Sequence, residues 1–470
     1  MKRLLPLLAL LAASCTPAPP PNVVLVIIDD LGWKDLGVTG SEAYQTPTLD
    51  RLADEGLRFT RFYADSPVCS PTRSALMTGQ HPARLHITNW IGGEAKGQLI
   101  QADYRYELPL EETTIAEHFK AAGYATGFVG KWHLGGEGFL PQDQGFDLNV
   151  GGHAAGHPAS YFWPYAREGS SYWDVPDLED GEEGEYLTDR LTDEAISFVE
   201  DHSGEPFFLV LSHYSIHTPI QAKPSYQAEE QARLDSLGLC PAGAFEDDPV
   251  RSTTRICQDR ADYAAMMRST DESMAWLLAA LEETGVADNT IVAFVSDNGG
   301  LAAVQRGGKG PTSVRPLRAG KAFLYEGGIR IPFIIHDPRS GARGLRHDAA
   351  STVDIMPTLM AMAGLDVPAV DGRALMTDDL EERPLFFHYP HYHSNGFRPG
   401  GAVISGRYKL IEDFETATVE LYDLVADEGE WNDLSANEPT VADSLRRMLH
   451  AWRTEVDAVM PTPNPDWSGE

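Results

Sequence analysis

The chain contains the run Asn22-Val23-Val24-Leu25-Val26-Ile27-Ile28, which is directly followed by Asp29-Asp30. An uninterrupted apolar run rich in β-branched residues predicts a strand that is buried on both faces, as in a parallel sheet. Shorter runs of the same kind predict further strands at residues 124–129, 206–211, 290–295 and 332–335. The strand at residues 22–28 is therefore expected to lie inside a sheet and to end in two carboxylates.

Helical patterns separate these runs. They predict helices over residues 46–55, 113–122, 187–201, 261–283 and 352–363. The first has the clearest ends, with Thr46 as N-cap, Pro47 in the first turn and Gly56 as the stop. Strands that alternate with helices predict an α/β fold whose large, mostly parallel sheet is sandwiched between helices.

The pattern changes after about residue 365. Residues 401–411 and 419–424 are predicted to form antiparallel strands, and residues 441–459 a final helix. We therefore predict a catalytic α/β domain over residues 22–365 and a smaller α+β subdomain over residues 366–470 that carries an antiparallel sheet.

Residues 1–21 are expected to precede the fold as an export signal and tether. Met1-Lys2-Arg3 is basic and residues 4–13 are apolar, a segment too short to span a membrane as a helix. Ala13-Ser14-Cys15 resembles a bacterial lipobox, although Ala12 stands where Leu is usual, and residues 16–21 are rich in Pro. The protein is expected to be periplasmic or a membrane-anchored lipoprotein, and a lipid on Cys15 would be its only membrane attachment.

Composition excludes several classes of partner. The 470 residues include 37 Lys and Arg against 70 Asp and Glu, so the net charge is 37 − 70 = −33. Such a charge argues against general binding to nucleic acid and against adhesion to anionic membranes. Cys240 and Cys257 are either a disulfide, which suits an exported protein, or two separate thiols; Cys69 is then left over.

Two predicted strands end in oxygen-rich groups. Asp29-Asp30 follows the first strand, and Ser296-Asp297-Asn298-Gly299 ends the strand that starts at residue 290. Ligand sites in open α/β sheets form at the carboxyl ends of strands, and an all-oxygen set suits Ca²⁺ or Mg²⁺. Taken alone, Asp-Asp is typical of a solvated loop and Asp-Asn-Gly of a turn.

The segment Cys69-Ser70-Pro71-Thr72-Arg73-Ser74-Ala75-Leu76-Met77-Thr78-Gly79 resembles the signature of the type I sulfatases, which belong to the alkaline phosphatase superfamily. Other family motifs follow in order. They are Asp29-Asp30, Gly130-Lys131-Trp132-His133-Leu134-Gly135, His217-Thr218-Pro219, Asp297-Asn298-Gly299, and Lys321 with Tyr325-Glu326-Gly327-Gly328-Ile329-Arg330-Ile331-Pro332. The resemblance covers nearly everything from residue 22 to about residue 460 and implies an alkaline phosphatase-like fold.

The resemblance also implies a mechanism. A separate maturation enzyme would convert Cys69 to Cα-formylglycine, and the hydrated aldehyde would attack the sulfur of a sulfate ester. The alcohol would leave, sulfate would stay attached, and the second hydroxyl would lose its proton to expel it. The implied metal ligands are Asp29, Asp30, Cys69, Asp297 and Asn298, with Ca²⁺ favoured over Mg²⁺.

The remaining family positions imply roles around the sulfate. Lys131 and Lys321 would clamp it, and Arg73 would stabilise the hydrate. His133 would take a proton from the hydrate, and His217 would protonate the leaving oxygen.

Substrate contacts are less defined in the sequence. The Gly- and aromatic-rich residues 151–165, with His153 and His157, are expected to line a sugar site. The segment that contains His388, His391, His393 and Arg398 is expected near the pocket mouth; its three histidines are alternatively a zinc site.

The leading hypothesis is a sulfatase that acts on a sulfated carbohydrate. The alternatives are a phosphomonoester or phosphonate hydrolase of the same superfamily, and a surface lipoprotein that binds sulfated glycans without chemistry. The acidic body should repel long polyanions, which favours short fragments or chain ends as substrates.

Overall fold

A computed structural model describes residues 19–169, 171–240, 244–248, 252–377 and 380–468. The strands are β1 Asn22–Ile28, β2 Leu57–Tyr63, β3 Leu99–Ile100, β4 Ala125–Gly130, β5 Leu148–Val150, β6 Phe207–His213, β7 Phe245–Asp248, β8 Ser252–Arg255, β9 Thr290–Ser296, β10 Ala303–Gln305, β11 Phe333–His336, β12 Gly344–Ser351, β13 Leu385–Tyr389, β14 Gly400–Ser405, β15 Tyr408–Asp413, β16 Val419–Asp423 and β17 Thr462–Pro463. The helices are α1 Pro47–Glu55, α2 Cys69–Thr78, α3 Pro82–Leu85, α4 Ile115–Ala121, α5 Leu187–His202, α6 Pro224–Leu237, α7 Ala261–Glu283, α8 Glu326–Ile329, α9 Ile355–Met362 and α10 Pro439–Glu455.

Within these ranges, eight strands form the central sheet, in the order β12-β2-β11-β9-β1-β6-β4-β5. β1 lies inside it and pairs in parallel with both β6 and β9, as its apolar sequence predicts. Among the eight, β11 alone is antiparallel to its neighbours β2 and β9. The prediction of a large, mostly parallel sheet is confirmed.

The two faces of β1 bury alternate residues in two different cores. Val24, Val26 and Ile28 pack with apolar residues of α1, α5 and α7. Val23 and Leu25 pack on the opposite face, with residues of α2, α4 and α9. Because successive side chains of a strand point to opposite faces, a run that is apolar throughout requires helices on both sides.

The predicted helices are present with small shifts at their ends. α7 spans the predicted residues 261–283, and α1 begins after Thr46 and ends before Gly56. The strand predicted over residues 401–411 is instead two strands, β14 and β15, because the chain turns at Gly406, whose φ of 61° suits glycine.

Two strands at one end of the central sheet, β12 at its edge and β2 next to it, have no counterpart in the prediction. β2 has the sequence LRFTRFY and β12 has the sequence GLRHDAAS, and both carry charged residues within the strand. Strands at or near a sheet edge are partly solvated and therefore lack the apolar run that identifies β1.

The C-terminal part contains the antiparallel sheet β13-β14-β15-β16. α10 packs on one face of it, and the segment around Phe323 and Tyr325 packs on the other. The antiparallel sheet is confirmed, whereas the domain boundary after residue 365 stays a prediction.

Two expectations concern export. Cys240 and Cys257 form a disulfide, which decides between the two alternatives for this pair. Residues 1–18, with the predicted signal and Cys15, lie outside the described residues. In the part of the chain that the structure describes, no helix has the length and apolar character needed to cross a membrane.

A buried ion cluster joins the C-terminal sheet to the rest of the molecule. Lys409 of β15 contacts Glu326 at 3.0 Å and Glu430 at 2.8 Å, and all three side chains are at most 1% exposed. Glu430 also accepts a hydrogen bond of 2.6 Å from the backbone N–H of Glu326. Burial raises the pKa of Glu430 to about 7, against the lowering effect of Lys409.

We predict that Lys409→Met destabilises the protein strongly. The substitution leaves two buried carboxyl groups without their shared cation, which typically costs about 3–5 kcal/mol. The measurement is the free energy of unfolding in urea at pH 7.

The matched control is Arg407→Ala on the same hairpin, since Arg407 pairs with Asp423 while half exposed. This control should cost less than about 1 kcal/mol. Equal losses in the two variants would contradict the importance of the buried cluster.

Candidate active site

The two oxygen-rich strand ends meet at one edge of the sheet. β1 and β9 are neighbours in register, with Ile28 opposite Ser296, so Asp29 and Asp297 follow side by side. The N–H of Asp30 donates to Oδ1 of Asp297 at 3.2 Å, and Nδ2 of Asn298 donates to Oδ1 of Asp30 at 2.8 Å. All four side chains are at most 2% exposed.

Three oxygens of this group are left without a hydrogen-bond partner among the described residues: Asp29 Oδ1, Asp30 Oδ2 and Asn298 Oδ1. Buried polar atoms are rarely unpaired, and an unpaired carboxylate oxygen is costly. An all-oxygen set with free lone pairs suits a hard divalent cation, so these residues fit the ion that the sequence predicts.

Each carboxylate has its own cation. Lys131 Nζ donates to Asp29 Oδ2 at 2.7 Å, and Lys321 Nζ to Asp30 Oδ1 at 2.5 Å. The guanidinium of Arg73 completes the set, with Nε donating to Asp297 Oδ2 at 2.8 Å. Lys131 is placed by β4 and Arg73 by α2, so separate elements supply the compensating charges.

These pairings set the pKa values of the carboxyl groups. Burial alone would raise the pKa of Asp30, but Lys321 and His217 outweigh it and hold that pKa well below its ordinary value. Burial and the adjacent carboxylate of Asp297 raise the pKa of Asp29. A bound divalent cation would favour the ionised form of both groups.

Cys69 is the first residue of α2, and its Sγ lies 3.3 Å from Nδ1 of His133. Burial raises the pKa of the Cys69 thiol, so the unmodified side chain is a poor nucleophile. Burial, Lys131 and Arg73 lower the pKa of His133 well below its ordinary value, so its ring is neutral. Nε2 of His133 lies 3.3 Å from the carbonyl oxygen of Ile91, so Nε2 carries the N–H of the neutral ring. Nδ1 is therefore free to accept a proton.

Arg73 is anchored by one side chain that the sequence analysis missed. Its Nη1 donates to Ser212 Oγ and to the carbonyl of Lys131, both at 2.7 Å. Ser212 follows the predicted strand 206–211, so the rule that sites form at carboxyl strand ends could have identified it. Nη2 of Arg73 is buried and has no hydrogen-bond partner among the residues that the structure describes.

His217 lies beyond the end of β6. Its Nε2 is 3.7 Å from Asp30 Oδ2, and its Nδ1 lies 2.7 Å from the carbonyl oxygen of Thr218. Burial and Lys321 lower the pKa of His217 to about 3, so the ring is neutral near pH 7. The structure thus brings together all the predicted catalytic and metal-binding residues.

Residues 151–165 pack directly on this site. A Cβ at Gly156 would lie 2.4 Å from Cε1 of His133, so the loop approaches that ring as closely as glycine permits. The hydroxyl of Tyr161 donates to the carbonyl oxygens of Tyr214 and His217, at 2.5 and 2.9 Å. The loop therefore contacts both predicted catalytic histidines, His133 through Gly156 and the backbone of His217 through Tyr161.

The histidines of residues 388–393 point to different partners. Nε2 of His388 contacts the carbonyl oxygen of Val459 at 3.0 Å, and Nε2 of His391 contacts Oγ1 of Thr88 at 2.8 Å. Burial and Lys321 lower the pKa of His393 to about 4. Of the three histidines, His393 is the one whose pKa responds to a lysine of the site. Among the described residues, these three histidines form no metal-binding group, which disfavours the zinc alternative.

Comparison with known proteins identifies the class of this site. The family model "Sulfatase" matches residues 21–365, and "N-sulphoglucosamine sulphohydrolase, C-terminal" matches residues 319–455. The chain is 30% identical to N-acetylgalactosamine-6-sulfatase of Homo sapiens, covering 94% of this chain and 87% of the relative. It is 34% identical to arylsulfatase A of Homo sapiens, and the match covers 94% of this chain and 84% of the relative.

A solved structure of Ps i-CgsB with k-i-k-neocarrahexaose has the same fold, with a TM-score of 0.73 and 26% sequence identity. The match covers 96% of this chain and 95% of that one. The fold is therefore alkaline phosphatase-like, as the resemblance implies. The chain belongs to the sulfatase family and is a sulfuric ester hydrolase. Members of this family are in general formylglycine-dependent and bind a metal ion.

We predict that Gly156→Ala lowers the rate of sulfate release about a hundredfold, since a shift of about 1 Å in a catalytic group has effects of this size. The new Cβ would overlap the ring of His133, which must move. The measurement is kcat for an aryl sulfate with fully matured enzyme.

Gly136→Ala is the control for adding a methyl group nearby, because its Cβ would make an ordinary contact of 3.5 Å with Cβ of Ala154. This variant should keep kcat within about threefold of the original enzyme. A Gly156→Ala enzyme with unchanged kcat would contradict the close approach of the loop to His133.

Proposed function

We propose that the protein hydrolyses sulfate esters of carbohydrates through a formylglycine formed at Cys69. One observation carries the proposal: Cys69 and Arg73 of α2 lie against a buried group of oxygen ligands that also binds Lys131 and Lys321. A sulfate ester is anionic, and positive groups around it stabilise the charge that develops as the alcohol leaves.

The carbohydrate part of the proposal rests on two supports. The names of two similar proteins, N-acetylgalactosamine-6-sulfatase and the neocarrahexaose complex, refer to sugars. Trp173 is partly exposed and its ring stacks on His157, whose ring lies 5.7 Å from that of His217, and aromatic faces are suited to sugar rings.

We assign the metal ligands as Asp29, Asp30, Asp297, Asn298 and the modified residue 69, and the ion as Ca²⁺, with Mg²⁺ the alternative. When bound, the ion would supply positive charge that favours ionisation of the nucleophilic hydroxyl and neutralises a sulfate oxygen. The free oxygens of Asp29, Asp30 and Asn298 support this assignment.

The remaining roles follow from hydrogen-bonding capacity. Nη2 of Arg73 is the free donor that we assign to the formylglycine hydrate. Lys131 and Lys321 bind the sulfate oxygens while keeping their carboxylate partners. Neutral His133, whose Nδ1 faces residue 69, accepts the proton of the second hydroxyl as sulfate is expelled.

His217 is assigned as the acid for the leaving oxygen. Burial and Lys321 lower the pKa of His217, so its neutral ring has to gain a proton before it can act as this acid. Negative charge on the substrate would oppose the effect of Lys321 and raise that pKa.

We further propose that the chain is exported and matured by a formylglycine-generating enzyme, as a periplasmic protein or as a lipoprotein anchored through Cys15. The apolar residues 4–13, the lipobox-like Ala13-Ser14-Cys15 and the disulfide Cys240–Cys257 support export. No nucleic acid partner is expected from the charge of −33.

The function is tested with protein co-produced with a maturation enzyme. Mass spectrometry should find residue 69 about 18 Da lighter than cysteine, because an aldehyde oxygen replaces the thiol. A panel of sulfated galactose, glucosamine and N-acetylgalactosamine isomers should then yield free sulfate, and Cys69→Ala should yield none.

The same preparation distinguishes sulfatase activity from the competing phosphomonoester or phosphonate hydrolase activity. Turnover of 4-nitrophenyl sulfate and 4-nitrophenyl phosphate is compared at equal concentration. A preference for phosphate above about a hundredfold, or roughly 2.7 kcal/mol, would support the phosphomonoester or phosphonate hydrolase instead. Sulfate release that persists in Cys69→Ala would refute the nucleophile.

The metal assignment predicts a stability change. Adding Ca²⁺ to chelator-treated protein should raise the Tm, because an ion that binds only the folded state stabilises it. Asp30→Asn should abolish this rise. Glu137→Gln, which changes an exposed carboxylate, should keep it, and an equal rise in both variants would place the ion elsewhere.

A further inference from the structure

Three rings are stacked at the edge of the active site. The ring of His157 lies parallel to that of Trp173, with centroids 4.0 Å apart and an interplanar angle of 10°. The ring of His217 is also parallel to that of His157, with centroids 5.7 Å apart and an interplanar angle of 9°. His157 is therefore sandwiched between an aromatic side chain and the histidine assigned to the leaving oxygen.

Both histidines of the stack carry their proton on the same ring nitrogen. Nδ1 of His157 lies 2.9 Å from the carbonyl oxygen of Pro158, and Nδ1 of His217 lies 2.7 Å from that of Thr218. A carbonyl oxygen accepts only from an N–H, so Nδ1 carries the proton in each neutral ring. Nε2 of His157 is thereby a free acceptor, with no partner among the described residues.

Two contacts place His157 at the active site. Gly156, the residue before it, packs against the ring of His133, and the ring of His157 itself stacks on that of His217. Burial lowers the pKa of His157, and the positive charges of Lys131, Arg167 and Lys321 lower it further, so the ring is neutral near pH 7. The ring of His157 is half-buried at this position.

We propose that His157 is a specificity-determining residue whose Nε2 accepts a hydrogen bond from a free hydroxyl of the substrate, on the carbon next to the sulfated carbon. The inference rests on the proposed carbohydrate sulfatase activity and narrows its substrate class. It selects sugar sulfates with an unsubstituted neighbouring hydroxyl over esters that lack one.

The chemistry of a neutral imidazole supports this assignment. Its free nitrogen has a lone pair and no proton, so it repels a sulfate oxygen and attracts an O–H group. A site that hydrogen-bonds a substrate hydroxyl rejects the analogue without it, because its own polar atom is then left unpaired. Stacking on Trp173 fixes the ring and reduces the entropy lost on binding.

The test uses the sugar sulfate of the panel that the matured enzyme hydrolyses fastest, and its deoxy analogue without the neighbouring hydroxyl. The original enzyme should have a kcat/KM at least about tenfold higher for the hydroxyl-bearing ester, because one hydrogen bond contributes a difference of about this size. His157→Phe, which keeps a ring in the stack, should reduce this ratio to about one.

Two further variants complete the experiment. His157→Gln restores an acceptor without the ring and should recover part of the ratio. Tyr172→Phe, a change in the exposed neighbour of Trp173, should leave the ratio intact. Unfolding curves confirm that each variant is folded.

The inference is overturned if the original enzyme does not distinguish the two esters, or if folded His157→Phe still does. These outcomes differ from failure of the proposed function. Matured enzyme that hydrolyses 4-nitrophenyl sulfate but no sulfated sugar would refute the carbohydrate proposal, and the inference with it.

Discussion

The active site depends on the compensation of three buried carboxylates by three buried cations. Asp29, Asp30 and Asp297 each bind a different cation, at 2.5 to 2.8 Å. Removing one partner from such a pair leaves an unpaired buried charge, which is more costly than the pair itself. The proposed metal ligands and the proposed sulfate-binding residues therefore hold each other in place, and we expect binding of the ion and of the anion to be linked.

The sequence predicts this centre well because its geometry follows from sheet topology. Parallel strands end at one edge, so Asp29-Asp30 and Asp297-Asn298 must meet once β1 and β9 are neighbours. The resemblance to sulfatases adds the loop residues that strand patterns cannot place. Lys321, for example, lies in a segment without regular structure between β10 and α8, and no periodicity indicates where such a segment runs.

What the sequence could not predict depends on contacts between distant segments. Trp173 directly precedes residues 174–205, an acidic stretch that is typical of a solvated surface, and only the fold stacks it on His157. In the sequence, Lys409 and Glu430 look like ordinary charged residues of the C-terminal part, although both are fully buried. The half-polar strands β2 and β12 were missed because their neighbours in the sheet, rather than their own composition, stabilise them.

The buried cluster of Lys409, Glu326 and Glu430 has a consequence for biosynthesis. Glu326 closely follows Lys321 in the sequence, but two of its partners, Lys409 and Glu430, are translated much later. The ion cluster that joins the segment of Lys321 to the C-terminal sheet therefore forms only after that sheet has been made. Cys69 is translated before Lys131, Lys321 and this sheet, so its thiol is synthesised before much of the structure that buries it in the finished fold.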